Sequence, residues 1–148
     1  MIKTVKFFKR ILLVILLILP IFFISINSEL IIGDEIWNFQ NIMKIINHGK
    51  IYVDANVIVT PMFYFIGTSI VKLFGANILG FRIYNGIIFS LLILFSFFMF
   101  RTLKVDNIKS MIYSLIIFLF LMPYISVGAN YNVLAVLFYL IRHMVIFK

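Results

Sequence analysis

Long apolar runs separated by short polar segments dominate the chain. Three runs cover about residues 8–28, 81–100 and 110–127, and a fourth covers about residues 131–147. A helix of about 20 predominantly apolar residues crosses the hydrocarbon core of a bilayer. The pattern therefore predicts an all-α, polytopic integral membrane protein, with about four transmembrane helices in a single membrane domain that takes in residues 1–148.

The segment between the first two predicted spans, residues 29–80, has a different pattern. It contains four of the five acidic residues of the chain. Within it, the stretch DEIWNFQNIMKIINHG, residues 34–49, has the spacing of a helix with one apolar face, and Gly49 is a natural stop. Such a helix lies in the membrane interface rather than crossing the membrane. The residues of its apolar face are Ile36, Phe39, Met43 and Ile46.

A second short helix is predicted over residues 60–75, TPMFYFIGTSIVKLFG, because Pro61 suits a first helical turn. Its apolar part, Met62 to Phe74, contains Lys72 and reaches only about 20 Å at about 1.5 Å per residue. If it crossed the membrane, the basic turn after residue 100 would lie outside, against the positive-inside rule. We therefore expect a second juxtamembrane helix and an extracytoplasmic loop over residues 29–80.

Positive charges lie at the ends of the apolar runs and give the chain a formal net charge of +8. This placement is typical of membrane proteins, and it argues against nucleic acid as a partner. The protein is expected in the cell membrane as a multi-pass protein with a cytoplasmic N-terminus. The cations behind this prediction are Lys3, Lys6, Lys9 and Arg10 before the first span, and Arg101, Lys104 and Lys109 after the second.

Composition agrees with a bilayer environment. Hydrophobic residues make up 64% of the chain, against about 45–50% on a comparable count in soluble domains. The absence of cysteine excludes disulfides, thiolate metal sites and cysteine nucleophiles. No nucleotide-binding motif is present, and His48 and His143 lack a metal-binding spacing. The sequence predicts no metal site and no other cofactor, and it leaves a divalent cation requirement open.

Asp34 and Glu35 form an acidic pair at the start of the first loop helix. In a structural interpretation, Asp34 caps the helix and Glu35 lies in its first turn, where the helix dipole favours a carboxylate. In a functional interpretation, a carboxylate at the membrane surface acts as a general base or as a ligand for a cation or sugar. Partial desolvation there raises a carboxyl pKa toward the range useful to a base.

Two cations and two aromatic residues are further candidates for a functional site. Arg82 at the outer start of the second span and Lys72 in the loop either extend to the interface or contact an anionic group. In the second interpretation, Arg82 pairs with an anionic headgroup or with Asp34. Tyr64 lies either in a lipid-facing aromatic belt or in the wall of a site for a lipid-linked substrate. Trp37 suits the headgroup level.

The order of these features resembles the N-terminal part of GT-C fold membrane glycosyltransferases. The most similar group is the family of polyprenyl-phosphate mannosyltransferases and lipid A aminoarabinose transferases. In that family an Asp-Glu pair opens the first outer loop, and a proline-aromatic element, an LFG sequence and an arginine follow. The matching positions are Asp34, Glu35, Pro61, Tyr64, Leu73 to Gly75 and Arg82.

The resemblance implies a glycosyltransferase that moves a sugar from a polyprenyl-phosphate carrier to an extracytoplasmic acceptor. It implies Asp34 as the base or acceptor-orienting carboxylate, with Glu35 beside it. Arg82, with Lys72 behind it, would bind the departing phosphate, because cations stabilise developing phosphate charge. Tyr64 and Trp37 would contact the substrate. The implied partners are membrane lipid and the lipid-linked sugar.

Full-length members of that family have many more spans than the four predicted here. The chain is therefore expected to be truncated, or completed by another membrane chain. The alternative is a non-catalytic multi-span membrane protein, or a split partner subunit without activity of its own. A small transporter or channel is disfavoured, because charged residues inside spans mark transport pathways and these spans contain almost none.

Overall fold

The computed structural model describes residues 2–27, 33–55, 61–125 and 131–146. These residues form six helices and no strand, which confirms the predicted all-α class. The ends of the predicted spans at residues 28, 126–127 and 147 lie outside the described residues, as do the side chains of the N-terminal cations. The helices are α1 (Ile2–Asn27), α2 (Asp34–Ile46), α3 (Pro61–Phe74), α4 (Ile78–Thr102), α5 (Asn107–Ile125) and α6 (Tyr131–Ile146).

Each predicted apolar run coincides with a helix, namely α1, α4, α5 or α6, and the two short loop helices are α2 and α3. Among the described residues, α4 is the one helix long and apolar enough to cross a membrane, with a mean hydropathy of 2.1. Its 25 residues extend about 37 Å at about 1.5 Å per residue. This length exceeds the hydrocarbon thickness of about 30 Å.

The central helix of the fold is α4, which packs against α1, α3, α5 and α6, whereas α2 packs on α3. Side chains from every turn of α4 between Gly80 and Phe97 are buried. Partners come from α1, α3, α5 and α6, so the core follows α4 rather than lying between two layers. Its buried apolar residues include Ile21, Phe63, Phe81, Ile88, Phe89, Leu92, Ile93, Phe118, Leu134 and Leu137.

The start of α4 is set by a side-chain cap. Asn77 has extended backbone, and its Oδ1 accepts a hydrogen bond from the N–H of Gly80 at 2.9 Å. Asparagine is a preferred cap because its side-chain oxygen satisfies an N–H that has no partner within the helix. As a result α4 begins at Ile78, three residues before the predicted span.

Two helices end on non-glycine residues in the left-handed conformation. Gly49 was the predicted stop of α2, but His48 takes that conformation, with a φ of 67°. The N–H of Gly49 bonds the carbonyl of Lys44 at 2.8 Å, which completes a Schellman turn. Gly49 is needed for space, because a Cβ there would lie 2.7 Å from that carbonyl oxygen. Lys104 ends α4 in the same way, with a φ of 62°.

The turn between α4 and α5 is organised by Asp106. Its carboxylate accepts hydrogen bonds from the N–H groups of Ile108 and Lys109, each at 3.0 Å. The bond from the Lys109 N–H, together with the Lys109 charge, holds the pKa of Asp106 below its ordinary value. The ionised carboxylate therefore supports the start of α5 at neutral pH, and this support disappears as the pH falls through the lowered pKa.

Gly80 allows the tight connection between α3 and α4. A Cβ at this position would overlap the backbone carbonyl oxygen of Gly75, a residue with a positive φ of 111°. Because a backbone carbonyl cannot rotate aside as a side chain can, any larger residue at Gly80 must displace the start of α4. Arg82 lies only two residues further on.

We expect Gly80→Ala to lower the free energy of unfolding by about 2–3 kcal/mol, the upper part of the range for overpacking. The measurement is the unfolding midpoint of the purified protein in detergent. Leu79→Ala is the matched control, because it creates an alanine in the same turn at a side chain that is 48% exposed, and we expect it to change stability by less than about 0.5 kcal/mol. Equal stabilities of the two variants would contradict this account of the connection.

Candidate functional site

A buried ion pair joins the first loop helix to the central helix. The Nε of Arg82 lies 3.2 Å from the Oε1 of Glu35, and the two side chains are 15% and 2% exposed. Glu35 lies in the first turn of α2 and Arg82 near the start of α4. A charge removed from water needs a partner of opposite sign, so each of these side chains stabilises the buried position of the other.

Arg82 also contacts the end of α1. Its Nη1 donates to the carbonyl oxygen of Ile26 at 3.5 Å, the outer limit of a hydrogen bond. Ile26 is the penultimate residue of α1, and the last carbonyls of a helix have no partner within it. A cation is favoured there by the helix dipole. The Nη2 of Arg82 is buried and has no hydrogen-bond partner among the described residues.

Asp34 differs sharply from its neighbour. It is the first residue of α2, its side chain is exposed, and it forms no hydrogen bond or ion pair with the described residues. The cap position is occupied by Gly33, and no side chain caps the helix. The structural interpretation of Asp34 as the cap is therefore wrong, and Arg82 pairs with Glu35 rather than with Asp34. The result is one buried, paired carboxylate beside one exposed carboxylate that has no partner in the described part of the chain.

The buried face of α2 is largely polar. Glu35, Asn38, Asn41 and Ile42 are buried. The predicted apolar face, Ile36, Phe39, Met43 and Ile46, is only half-buried. The two faces are adjacent on the helix. The apolar face therefore lies at the edge of the surface by which α2 packs on the rest of the protein, and the polar face lies at its centre. The polar residues tolerate burial because partners are available, as the next contact illustrates.

Tyr64 on α3 is fully buried, and its hydroxyl donates to the Oδ1 of Asn38 at 2.8 Å. The interpretation of Tyr64 as a lipid-facing residue is therefore wrong. Trp37 packs edge-on against it, with ring centroids 6.5 Å apart, and remains half-buried. The structure thus brings the two aromatic candidates together, and Trp37 lies in the same turn of α2 as Glu35.

Lys72 is not part of this cluster. It lies in the last turn of α3 with an exposed side chain, and it makes no hydrogen bond or ion pair with the described residues. Four of the other five candidates, Glu35, Arg82, Tyr64 and Trp37, form one group of contacts through α2, and Asp34 lies at its exposed edge.

Three further polar residues were not predicted as part of the site. Asn38 bonds Tyr64, and the hydroxyl of Tyr84 donates to the carbonyl of Phe63 at 2.7 Å, which ties α4 to α3. Asn85 is buried one turn after Arg82, and its Oδ1 has no partner among the described residues. Asn85 could have been recognised from the sequence, because it is a polar amide inside an apolar span and such groups are costly in a membrane.

This arrangement offers one cation, Arg82, and one exposed carboxylate, Asp34, for chemistry. Among the described residues, no group of three or more His, Asp or Glu side chains comes together as metal ligands would. Asp34 can accept a proton or a hydrogen bond from a bound hydroxyl. The half-buried Arg82 supplies positive charge, and the half-buried Trp37, packed against the buried Tyr64, supplies an aromatic surface.

Comparison with known proteins gives no relative: no family model matches the chain, and neither a curated protein nor a solved structure matches it.

The ion pair can be tested by a double-mutant cycle on Glu35 and Arg82. Glu35→Leu leaves a largely buried guanidinium without its carboxylate, and Arg82→Met leaves a buried carboxylate without its cation, so we expect each single variant to lower the free energy of unfolding by about 3 kcal/mol. The double variant Glu35→Leu/Arg82→Met removes both charges and should recover most of that loss. Unfolding midpoints in detergent provide the measurement. Additive effects of the single and double variants would show that the two side chains do not stabilise each other.

Proposed function

We propose that the chain is a multi-span membrane protein in which α1, α4, α5 and α6 each cross the bilayer. The contacts support alternating directions. The end of α1 meets the start of α4 through Ile26 and Arg82, and the end of α4 lies beside the end of α6 at Thr102 and Met144. In this proposal α2 and α3 lie on the extracytoplasmic side, and the N-terminus is cytoplasmic.

This topology can be tested by labelling single cysteines, because the natural chain has none. We expect a cysteine at Asn107, the first residue of α5, to be shielded in intact cells from a membrane-impermeant thiol reagent. A cysteine at Gln40, an exposed position of α2, should be labelled. The measurement is the extent of labelling before and after permeabilisation. Labelling at Asn107 in intact cells would reverse the proposed orientation.

We further propose that the protein is related in function to membrane glycosyltransferases and takes part in transfer of a sugar from a polyprenyl-phosphate donor to an extracytoplasmic acceptor. The observation that carries this proposal is the pairing of Glu35 with Arg82, which fixes a cation against the residue that follows the exposed Asp34. A lipid-linked donor presents its sugar-phosphate bond at the membrane surface. A base and a cation at the outer ends of spanning helices suit that position.

In the proposed reaction, Asp34 accepts the proton of the acceptor hydroxyl. The acceptor oxygen forms a bond to the anomeric carbon of the sugar, and the bond from that carbon to the phosphate oxygen breaks. The polyprenyl phosphate departs with the electron pair, and positive charge from Arg82 stabilises it.

Glu35 has a different role in this proposal from that of Asp34. It is buried and holds Arg82 in place, so it positions the cation and does not act as a second base. Trp37 and Tyr64 form the aromatic wall beside the sugar. The half-buried Trp37 is the one able to contact a substrate directly, whereas Tyr64 supports it through the bond to Asn38.

The second candidate function is that of a non-catalytic membrane subunit. It is favoured by the same ion pair, because a guanidinium neutralised by Glu35 and buried at its Nη2 also serves as a purely structural link. Apolar side chains are exposed along α5, among them Leu119 and Phe120. Another membrane chain that completes the fold would be the partner in this case.

The catalytic proposal predicts that Asp34→Asn lowers sugar transfer by at least about a hundredfold, the lower part of the range for loss of a general base. The assay follows transfer of labelled sugar from polyprenyl phosphate in membranes from cells that express the protein. Asp54→Asn is the matched control, because Asp54 is an exposed carboxylate of the same loop. It accepts from the Lys50 N–H, a bond that an amide oxygen preserves.

Trp37 gives a second measurement in the same membranes or in detergent. It is the only tryptophan of the chain, so its fluorescence reports on the proposed donor site. Unchanged fluorescence response to polyprenyl phosphate, together with lost transfer, would identify Asp34 as a catalytic residue. Full transfer by Asp34→Asn would refute that role, and no transfer by the unmodified protein would favour the non-catalytic subunit.

A further inference from the structure

An open groove lies at the other end of α4, away from the Glu35–Arg82 pair. Its volume is about 440 Å³, and it is lined by Phe95, Phe98, Arg101 and Thr102 of α4 and Met144 of α6. Arg82 and Arg101 are 19 residues apart on this helix, which corresponds to about 28 Å at about 1.5 Å per residue. The groove and the candidate site therefore lie near opposite ends of the spanning helix.

The groove is apolar along its length and cationic at one end. Phe95, Phe98 and Met144 provide the apolar part, and Arg101 and Thr102 follow in the last turn of α4. The distance along α4 from Phe95 to Thr102 is about 10 Å, at about 1.5 Å per residue. This arrangement matches a molecule with a hydrocarbon chain and an anionic head.

The charged side chains around the cationic end of the groove are mostly positive. Among the described contacts, one N–H group of Arg101 donates to the carbonyl of Val105, which orients the guanidinium and leaves its other donors available. Lys104 follows with an exposed side chain. The nearest acid in sequence, Asp106, is already engaged by the backbone N–H groups of Ile108 and Lys109.

We propose that an anionic glycerophospholipid of the cytoplasmic leaflet binds in this groove. Its phosphate contacts Arg101, and one acyl chain lies against Phe95, Phe98 and Met144. The bilayer supplies such lipids at the depth of the basic turn, and basic pockets between spanning helices on that side are suited to phospholipid heads. The proposal depends on the crossing of α4 but not on any glycosyltransferase activity.

Native mass spectrometry of the full chain tests the proposal. The protein is released from nanodiscs that contain equal amounts of phosphatidylglycerol and phosphatidylethanolamine, and the retained lipids are identified. We expect the protein to retain more phosphatidylglycerol than phosphatidylethanolamine. Arg101→Gln should lower its retained fraction roughly fivefold, which corresponds to the contribution of one basic residue near an anionic lipid head.

Lys50→Gln is the matched control, because it also removes one positive charge, but at an exposed position of the first loop. We expect it to leave lipid retention unchanged. Met144→Trp keeps every charge and fills the apolar part of the groove, so it should also lower retention. If Arg101→Gln fails to fold, as judged by its helical circular dichroism, Met144→Trp decides the question.

Equal retention of the two phospholipids, or full retention by Arg101→Gln or Met144→Trp, would overturn the proposal. A lipid-free dimer that Met144→Trp dissociates would show that a second copy of the chain occupies the groove instead. Added polyprenyl phosphate should not displace phosphatidylglycerol, and displacement would assign the groove to the donor lipid. Failure of sugar transfer with phosphatidylglycerol still retained would refute the proposed function alone.

Discussion

The ion pair between Glu35 and Arg82 determines where the first loop lies on the helical bundle. Removal of α2 from its position would leave a buried guanidinium without its carboxylate, which is more costly than exposing an apolar side chain of similar size. The same guanidinium contacts the carbonyl of Ile26. The end of α1, the start of α2 and the start of α4 are therefore held together by one side chain.

This pair also explains why the two adjacent carboxylates have different environments. Neighbouring residues of a helix point about 100° apart, because a turn takes about 3.6 residues. Once Glu35 points inward to Arg82, Asp34 must point elsewhere, and here it is exposed. The contact between Glu35 and Arg82 thus determines where the Asp34 carboxylate lies. Stability and any chemistry at Asp34 depend on the same contact.

The sequence predicted six helices where the structure has them, because apolar runs and helical spacing are local properties, although α1 begins six residues before the predicted span. It also identified Glu35 and Arg82 as candidates. It did not predict that they pair, or that Asn38 and Asn41 face inward, because these facts depend on partners such as Tyr64 that lie far away in the chain. Hydrophobicity ranks asparagine as a surface residue, and only the packed structure reveals a hydrogen-bond partner for Asn38. The left-handed His48 was missed for a similar reason, since Gly49 beside it satisfied the usual rule.

The separation of the ion pair along the chain also has a consequence for synthesis. Glu35 and Arg82 are 47 residues apart, and ribosomes add about 5–20 residues per second. Glu35 therefore leaves the ribosome about 2–10 seconds before its cation does, at that rate of elongation. Throughout that interval α2 has no docking partner on α4, and the carbonyl of Ile26 has no guanidinium. The loop reaches its final position only after α4 has been made. During synthesis, Glu35 therefore stays in water until Arg82 is available to pair with it.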